Sequence, residues 1–184
     1  MTIGRGLIVI LGNSGAGKST LAHWLARELG AARQPLPHLD LDTVAWLPHQ
    51  IAAARPPAEA EAMLRDWMAR HPRGVLEGCY GALARVAIAA GAALIWLDPG
   101  VEQCLAHCRA RPFEAHKYPD PQTQEAYLER LLDWVRDYPH RAGDLGRADH
   151  AECFADCPNP KLRLEAAVDF RHPPEALRRW LAEA

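Results

Sequence analysis

The sequence predicts a three-layer α/β domain around a mainly parallel sheet, and three observations carry that expectation. Strand-like hydrophobic runs alternate with helical segments along the whole chain. The runs at residues 7–11 and 92–97 are almost wholly apolar, as strands covered on both faces must be. The 184 residues are 49% hydrophobic and 24% charged, which suits one continuous core better than two small ones.

Each element has its own signal. Leu7-Ile8-Val9-Ile10-Leu11 reads as a buried strand, residues 12–17 as a glycine-rich turn, and Leu21, Leu25 and Leu29 as one face of a helix that Gly30 can stop. Residues 36–40 form a second strand candidate ending in Asp40, and residues 48–57, rich in alanine and proline, a loop or short helix. A helix over 59–70 buries Met63, Leu64, Trp67 and Met68. Strand 74–77, helix 83–90 and strand 92–97 follow, then a helix with Val101, Cys104, Leu105 and Cys108 on one face. Residues 111–123 read as an irregular connection. The helix over 125–138 carries the apolar stripe Leu128, Leu131, Leu132 and Val135. Strand 162–168 and helix 173–181, with proline in its first turn, complete the pass. The expectation is a single domain over 1–184, with strand order left open at this point.

Composition narrows the function classes. Lys and Arg total 21 against 23 Asp and Glu, so there is no basic stripe of the kind a nucleic-acid binder shows. No stretch approaches ~18 apolar residues, and no membrane span is expected. Five cysteines, an odd number, and a start unlike a secretory signal point to reduced thiols and a cytoplasmic setting.

The chemistry-bearing motif is Gly12-Asn13-Ser14-Gly15-Ala16-Gly17-Lys18-Ser19, a full G-x-x-x-x-G-K-[ST] match set between a hydrophobic strand and a periodic helix. Its glycines let backbone N–H groups converge on an anion, and the helix behind adds unpaired donors and the positive end of its dipole. Lys18 is placed to reach β- and γ-phosphates and the Ser19 hydroxyl to ligate Mg²⁺, with Thr20 beside them. This is the phosphate loop of a P-loop NTPase, and ATP with Mg²⁺ is the expected ligand.

Carboxylates at strand ends would complete such a site. Asp40 and Asp42 are two apart, so in extended chain both face the same way; one can serve Mg²⁺ and the other the acceptor, with either assignment open. Asp98 follows four apolar residues, as a metal-holding carboxylate would, though Asp98-Pro99-Gly100 also reads as a capped turn. Glu77-Gly78 could bind a polar group and admit a substrate closely, or form an ordinary strand-to-helix turn. Arg109 and Arg111 are the preferred phosphate-facing pair in a lid around 109–123, with Lys117, Arg136, Arg141 and Arg147 as further cations and Arg85 as one facing the acceptor. Cys104, His107 and Cys108, with His150, Cys153 and Cys157, have zinc-like spacing. Cys104 and Cys108 also fall on a buried helical stripe, and packing is the reading favoured.

The phosphate loop, His38-Leu39-Asp40, Glu77-Gly78 and Leu94-Ile95-Trp96-Leu97-Asp98 resemble the small P-loop kinases of the adenylate and shikimate kinase group, and most closely bacterial adenylate-kinase-like ATPases of the topology-modulation type. That resemblance implies a nucleoside-kinase-like five-stranded sheet in the order 2-3-1-4-5 and transfer of the ATP γ-phosphoryl to a small-molecule acceptor. Asp40-Leu41-Asp42 resembles the D-x-D of shikimate kinases. One glycine at 78, where that group has several, and no arginine-rich lid motif depart from the pattern. A nucleotide-dependent regulatory ATPase with slow hydrolysis is the competing expectation.

Overall fold

A computed structural model of the chain describes residues 6–31, 34–47, 53–113 and 119–183. Five parallel strands stand in the order β2-β3-β1-β4-β5. They are β1 (Leu7–Gly12), β2 (His38–Asp40), β3 (Gly74–Gly78), β4 (Ala93–Leu97) and β5 (Lys161–Leu164), and eight helices among the described residues link or cover them.

The pleat of β1 decides the layering. Its six residues are all buried, and alternate side chains enter opposite cores. Ile8 and Ile10 pack with α1 (Lys18–Glu28), α5 (Val101–Arg109), α6 (Pro121–Arg136) and α8 (Glu175–Glu183). Leu7, Val9 and Leu11 pack with α2 (Asp42–Ala45), α3 (Pro57–Arg70), α4 (Gly81–Ala89) and α7 (Arg147–Asp156). Full burial of each such side chain contributes roughly 1.5–3 kcal/mol.

Several elements differ from expectation for local reasons. Helix α6 begins at Pro121 because Asp120 caps it, accepting from the Thr123 N–H at 2.6 Å, so the end of the expected irregular connection is already helical. Residues 114–118, including Lys117, and residues 48–52 lie outside the described residues. Strand β5 stops at Leu164, four residues short of the expected end. Helix α7 was not expected at all; its buried residues are only His150 and Cys153. The two cysteine pairs lie on opposite faces of the sheet, Cys104 and Cys108 in one core, Cys153 and Cys157 in the other. That separation removes the four-ligand zinc arrangement, and all four pack as small buried side chains. No described helix is long and apolar enough to cross a membrane.

Candidate phosphate and acceptor site

The carboxyl ends of β1, β2 and β3 open onto a cavity of about 680 Å³. Residues Ser14 to Thr20 line its floor. Gly15 and Gly17 have φ of 79° and 92°, the left-handed region that glycine tolerates. At Gly15 space is also limiting. A Cβ would collide with the Cys104 carbonyl and come within 2.8 Å of Cys108 Sγ, so the loop lies directly on α5. His107 fastens it there, its Nδ1–H donating to the Gly15 carbonyl at 2.8 Å. Helix α1 has no side-chain cap hydrogen bond and no acid in its first turn, leaving its N-terminal donors to the cavity.

Gly12 and Asn13 support the loop from behind instead of lining the cavity. A Cβ on Gly12 would collide with the Leu97 carbonyl of β4. Asn13 is buried; its Nδ2 donates to the Val135 carbonyl on α6 at 3.1 Å, and its Oδ1 accepts from the Ser14 N–H at 2.9 Å. Lys18 is buried too, with Nζ 3.0 Å from the Asn13 carbonyl and 3.4 Å from Cys79 Sγ. Burial works against its charge, but Cys79, Glu77 and Asp42 around it outweigh that and hold its pKa above the ordinary lysine value.

Glu77 is the carboxylate closest to the loop's chemistry. It is 3% exposed and accepts the Ser19 hydroxyl at 2.8 Å, with His38 Nε2 at 3.8 Å. Burial pushes its pKa up, yet His38, the Lys18 ammonium and Ser19 together hold it below the usual value. Gly78 lines the cavity, but its missing Cβ serves packing: an added one would sit 2.8 Å from Leu41 Cβ.

Asp40 and Asp42 both line the cavity, for a reason other than strand alternation. The chain leaves β2 after Asp40, whose Oδ1 accepts the Asp42 N–H at 2.9 Å, and Asp42 opens α2. Tyr80 donates to Asp42 at 2.7 Å and itself accepts the Trp46 indole N–H, so the carboxylate is aimed by a short relay. Ala110, Arg111 and Pro112, just after α5, and Ala167, Val168 and Phe170, after β5, also line the cavity.

Three expected site residues are not among the described residues lining this cavity. Asp98 is engaged by two guanidiniums, Arg147 and Arg163, each 2.7 Å from its Oδ2. They lower its pKa against the effect of burial and stack by Trp96, and Asp98 lines a separate cavity behind the loop. Arg85 turns from the acceptor to Asp149 at 2.9 Å and Glu152 at 3.4 Å. Arg109 ends α5 exposed and is not among the described residues lining the cavity, whereas Arg111 is. The other expected lid cations are engaged elsewhere: Arg136 with Asp133, Arg141 with the Trp134 ring and carbonyl, Arg147 with Asp98.

Cys79, Tyr80 and His38 were not singled out from sequence as chemically engaged residues. Cys79-Tyr80 directly follows Glu77-Gly78, so the end of β3 was the available signal.

No protein-family model matches the sequence, and no curated protein matches it. Solved structures do match. A shikimate kinase from Bacteroides thetaiotaomicron superposes with a TM-score of 0.57 at 15% identity, covering 97% of this chain and 95% of that one. A sugar kinase from Janibacter sp. HTCC2649 gives 0.51 at 16% identity, covering 97% and 91%. A shikimate kinase from Acinetobacter baumannii in complex with shikimate gives 0.50 at 16% identity, covering 97% and 89%. At these identities the likeness establishes the fold, a three-layer P-loop kinase-like α/β architecture.

Proposed function

We propose that the protein is an ATP-dependent phosphotransferase that hands the γ-phosphoryl group to a small acceptor. The observation that carries this reading is the convergence of Lys18, Ser19, Glu77, Asp40 and Asp42 on one cavity that extends past the phosphate loop. Its size lies within the range of small-molecule sites.

The residues present fit Mg-ATP: a glycine cradle with two left-handed positions, an uncapped helix N-terminus, a buried lysine and a hydroxyl–carboxylate pair. Ser19 and Glu77 would hold the metal with Asp42 nearby. Bound Mg²⁺ supplies positive charge that offsets the phosphates. Lys18 binds phosphate oxygens as a fixed point charge, and Arg111, which also lines the cavity, adds a second cation. Asp40 and Asp42, the latter held in direction by Tyr80, orient the acceptor hydroxyl and take up its proton. The loop's packing on α5 keeps the cradle pre-formed, so little ordering is needed when the nucleotide arrives.

The test is ADP release from Mg-ATP across a panel of small alcohols and phosphate acceptors. One acceptor class should raise turnover sharply, and Lys18→Ala should lower it by ~100-fold or more. Slow turnover unmoved by every acceptor would instead favour a regulatory ATPase.

A further inference from the structure

Behind the cavity wall, polar groups from four parts of the chain form one directed chain, and the proposed reaction uses none of them directly. His150 is fully buried, with Nε2 2.8 Å from the Cys79 carbonyl and Nδ1 2.8 Å from the Tyr138 hydroxyl. A carbonyl only accepts, so Nε2 carries the proton and donates. Burial disfavours the imidazolium, and in the neutral ring Nδ1 is the acceptor and receives the Tyr138 O–H. The Tyr138 oxygen in turn accepts the Trp96 indole N–H at 3.3 Å. Every proton has one direction, and the chain ends on the backbone of Cys79.

The same stretch of chain grips the β3–α4 turn twice more. The Gly81 N–H donates to the Asp144 carbonyl at 2.8 Å and the Ala82 N–H to the Asp144 carboxylate at 3.4 Å. The approach is close enough to require glycine, because a Cβ on Gly81 would collide with Asp149 Oδ2 and lie 2.8 Å from the Asp144 carbonyl. Residues 138–150 are therefore a brace under the turn that carries Cys79. On the other side of that turn, Cys79 Sγ touches Lys18 Nζ.

We infer that Tyr138 and His150 are positioning residues for the phosphate site: they fix the Cys79 peptide, and through it the wall against which the Lys18 ammonium rests. The effect on nucleotide affinity rests on the reading proposed above; the effect on Cys79 does not. Losing one buried hydrogen bond in the chain frees the turn by a factor of about five.

The test uses the full chain and three readouts: the iodoacetamide alkylation rate of each cysteine by peptide mapping, the Mg-ATP Kd by calorimetry, and the melting temperature. Cys79 is partly exposed, while Cys104, Cys108, Cys153 and Cys157 are buried and report general loosening. Tyr138→Phe and His150→Ala should each speed Cys79 alkylation about fivefold and raise the Kd by a similar factor, leaving the other four slow. His150→Gln, which keeps an amide donor for the Cys79 carbonyl, should restore much of both. Unchanged Cys79 alkylation and Kd in folded Tyr138→Phe would overturn the assignment. So would equal acceleration of all five cysteines, which marks a general core role. Should His150→Ala fail to fold, Tyr138→Phe decides alone. If the unmodified chain binds no Mg-ATP, the nucleotide reading falls while the alkylation rates still judge the brace.

Discussion

Strands β3 and β4 flank β1 on either side, and each delivers a buried carboxylate to the carboxyl edge of the sheet. Glu77 meets a hydroxyl and lies near the Lys18 ammonium, beside the phosphate loop. Asp98 meets two guanidiniums, Arg147 at the start of α7 and Arg163 in β5. Both are held below their usual pKa against the effect of burial, so charge state does not separate them. What separates them is which elements fold over each strand end. Glu77 is left facing the cavity; Asp98 is spent tying three elements together.

The comparison breaks most visibly if Glu77 is neutralised. Glu77→Gln should cut Mg²⁺-dependent nucleotide turnover by about 10–100-fold, the larger effect beside some loss of stability from its place next to Lys18, measured by steady-state kinetics over a Mg²⁺ titration. An unchanged Mg²⁺ dependence would place the metal on another group. Asp98→Asn should show the reverse pattern. It replaces the carboxylate shared by two guanidiniums with a neutral amide that keeps one acceptor oxygen, and should cost about 1–2 kcal/mol in urea unfolding, at the low end because both arginines are partly exposed. Turnover should change by less than about threefold, since this side chain faces the other cavity.

The same variant sharpens the comparison through pH. A carboxylate with a lowered folded pKa contributes stability that is fully present above its unfolded value, about 3.9 for aspartate, and lost as pH falls through the folded one. Acid unfolding of Asp98→Asn should therefore be flatter below about pH 4 than that of the unmodified chain. Parallel curves would mean that the arginine pair contributes nothing through this proton. The smallest effect belongs to Arg85→Ala, whose partners Asp149 and Glu152 are on α7. It should move stability by no more than about 0.5 kcal/mol and leave the apparent acceptor KM unchanged.

The parts legible in the sequence were those whose cause is local. The phosphate loop is a contiguous motif, and the strand runs state their burial through composition. The strand order 2-3-1-4-5, expected from family resemblance, is the one observed. The two readings of Asp98 stayed open in the sequence because its arginine partners come from 49 and 65 residues downstream, and no window around residue 98 contains them. Asp40 and Asp42 needed knowledge of where the strand stops; the turn into α2 changes the geometry that two-residue spacing would impose. Helix α7 escaped notice because one of its two buried residues is a histidine, satisfied on both nitrogens, which no apolar pattern counts.

The tie between Asn13 and the Val135 carbonyl links residues 122 positions apart in the chain. A ribosome releases the phosphate loop well before its anchor on α6, which is 122 residues further along the chain. Strand β1 must likewise wait for both neighbours, because parallel pairing needs long crossovers. During synthesis the phosphate loop is thus translated well before the contacts that complete it. A growing chain of this protein is expected to gain nucleotide affinity abruptly, and only once α6 has docked.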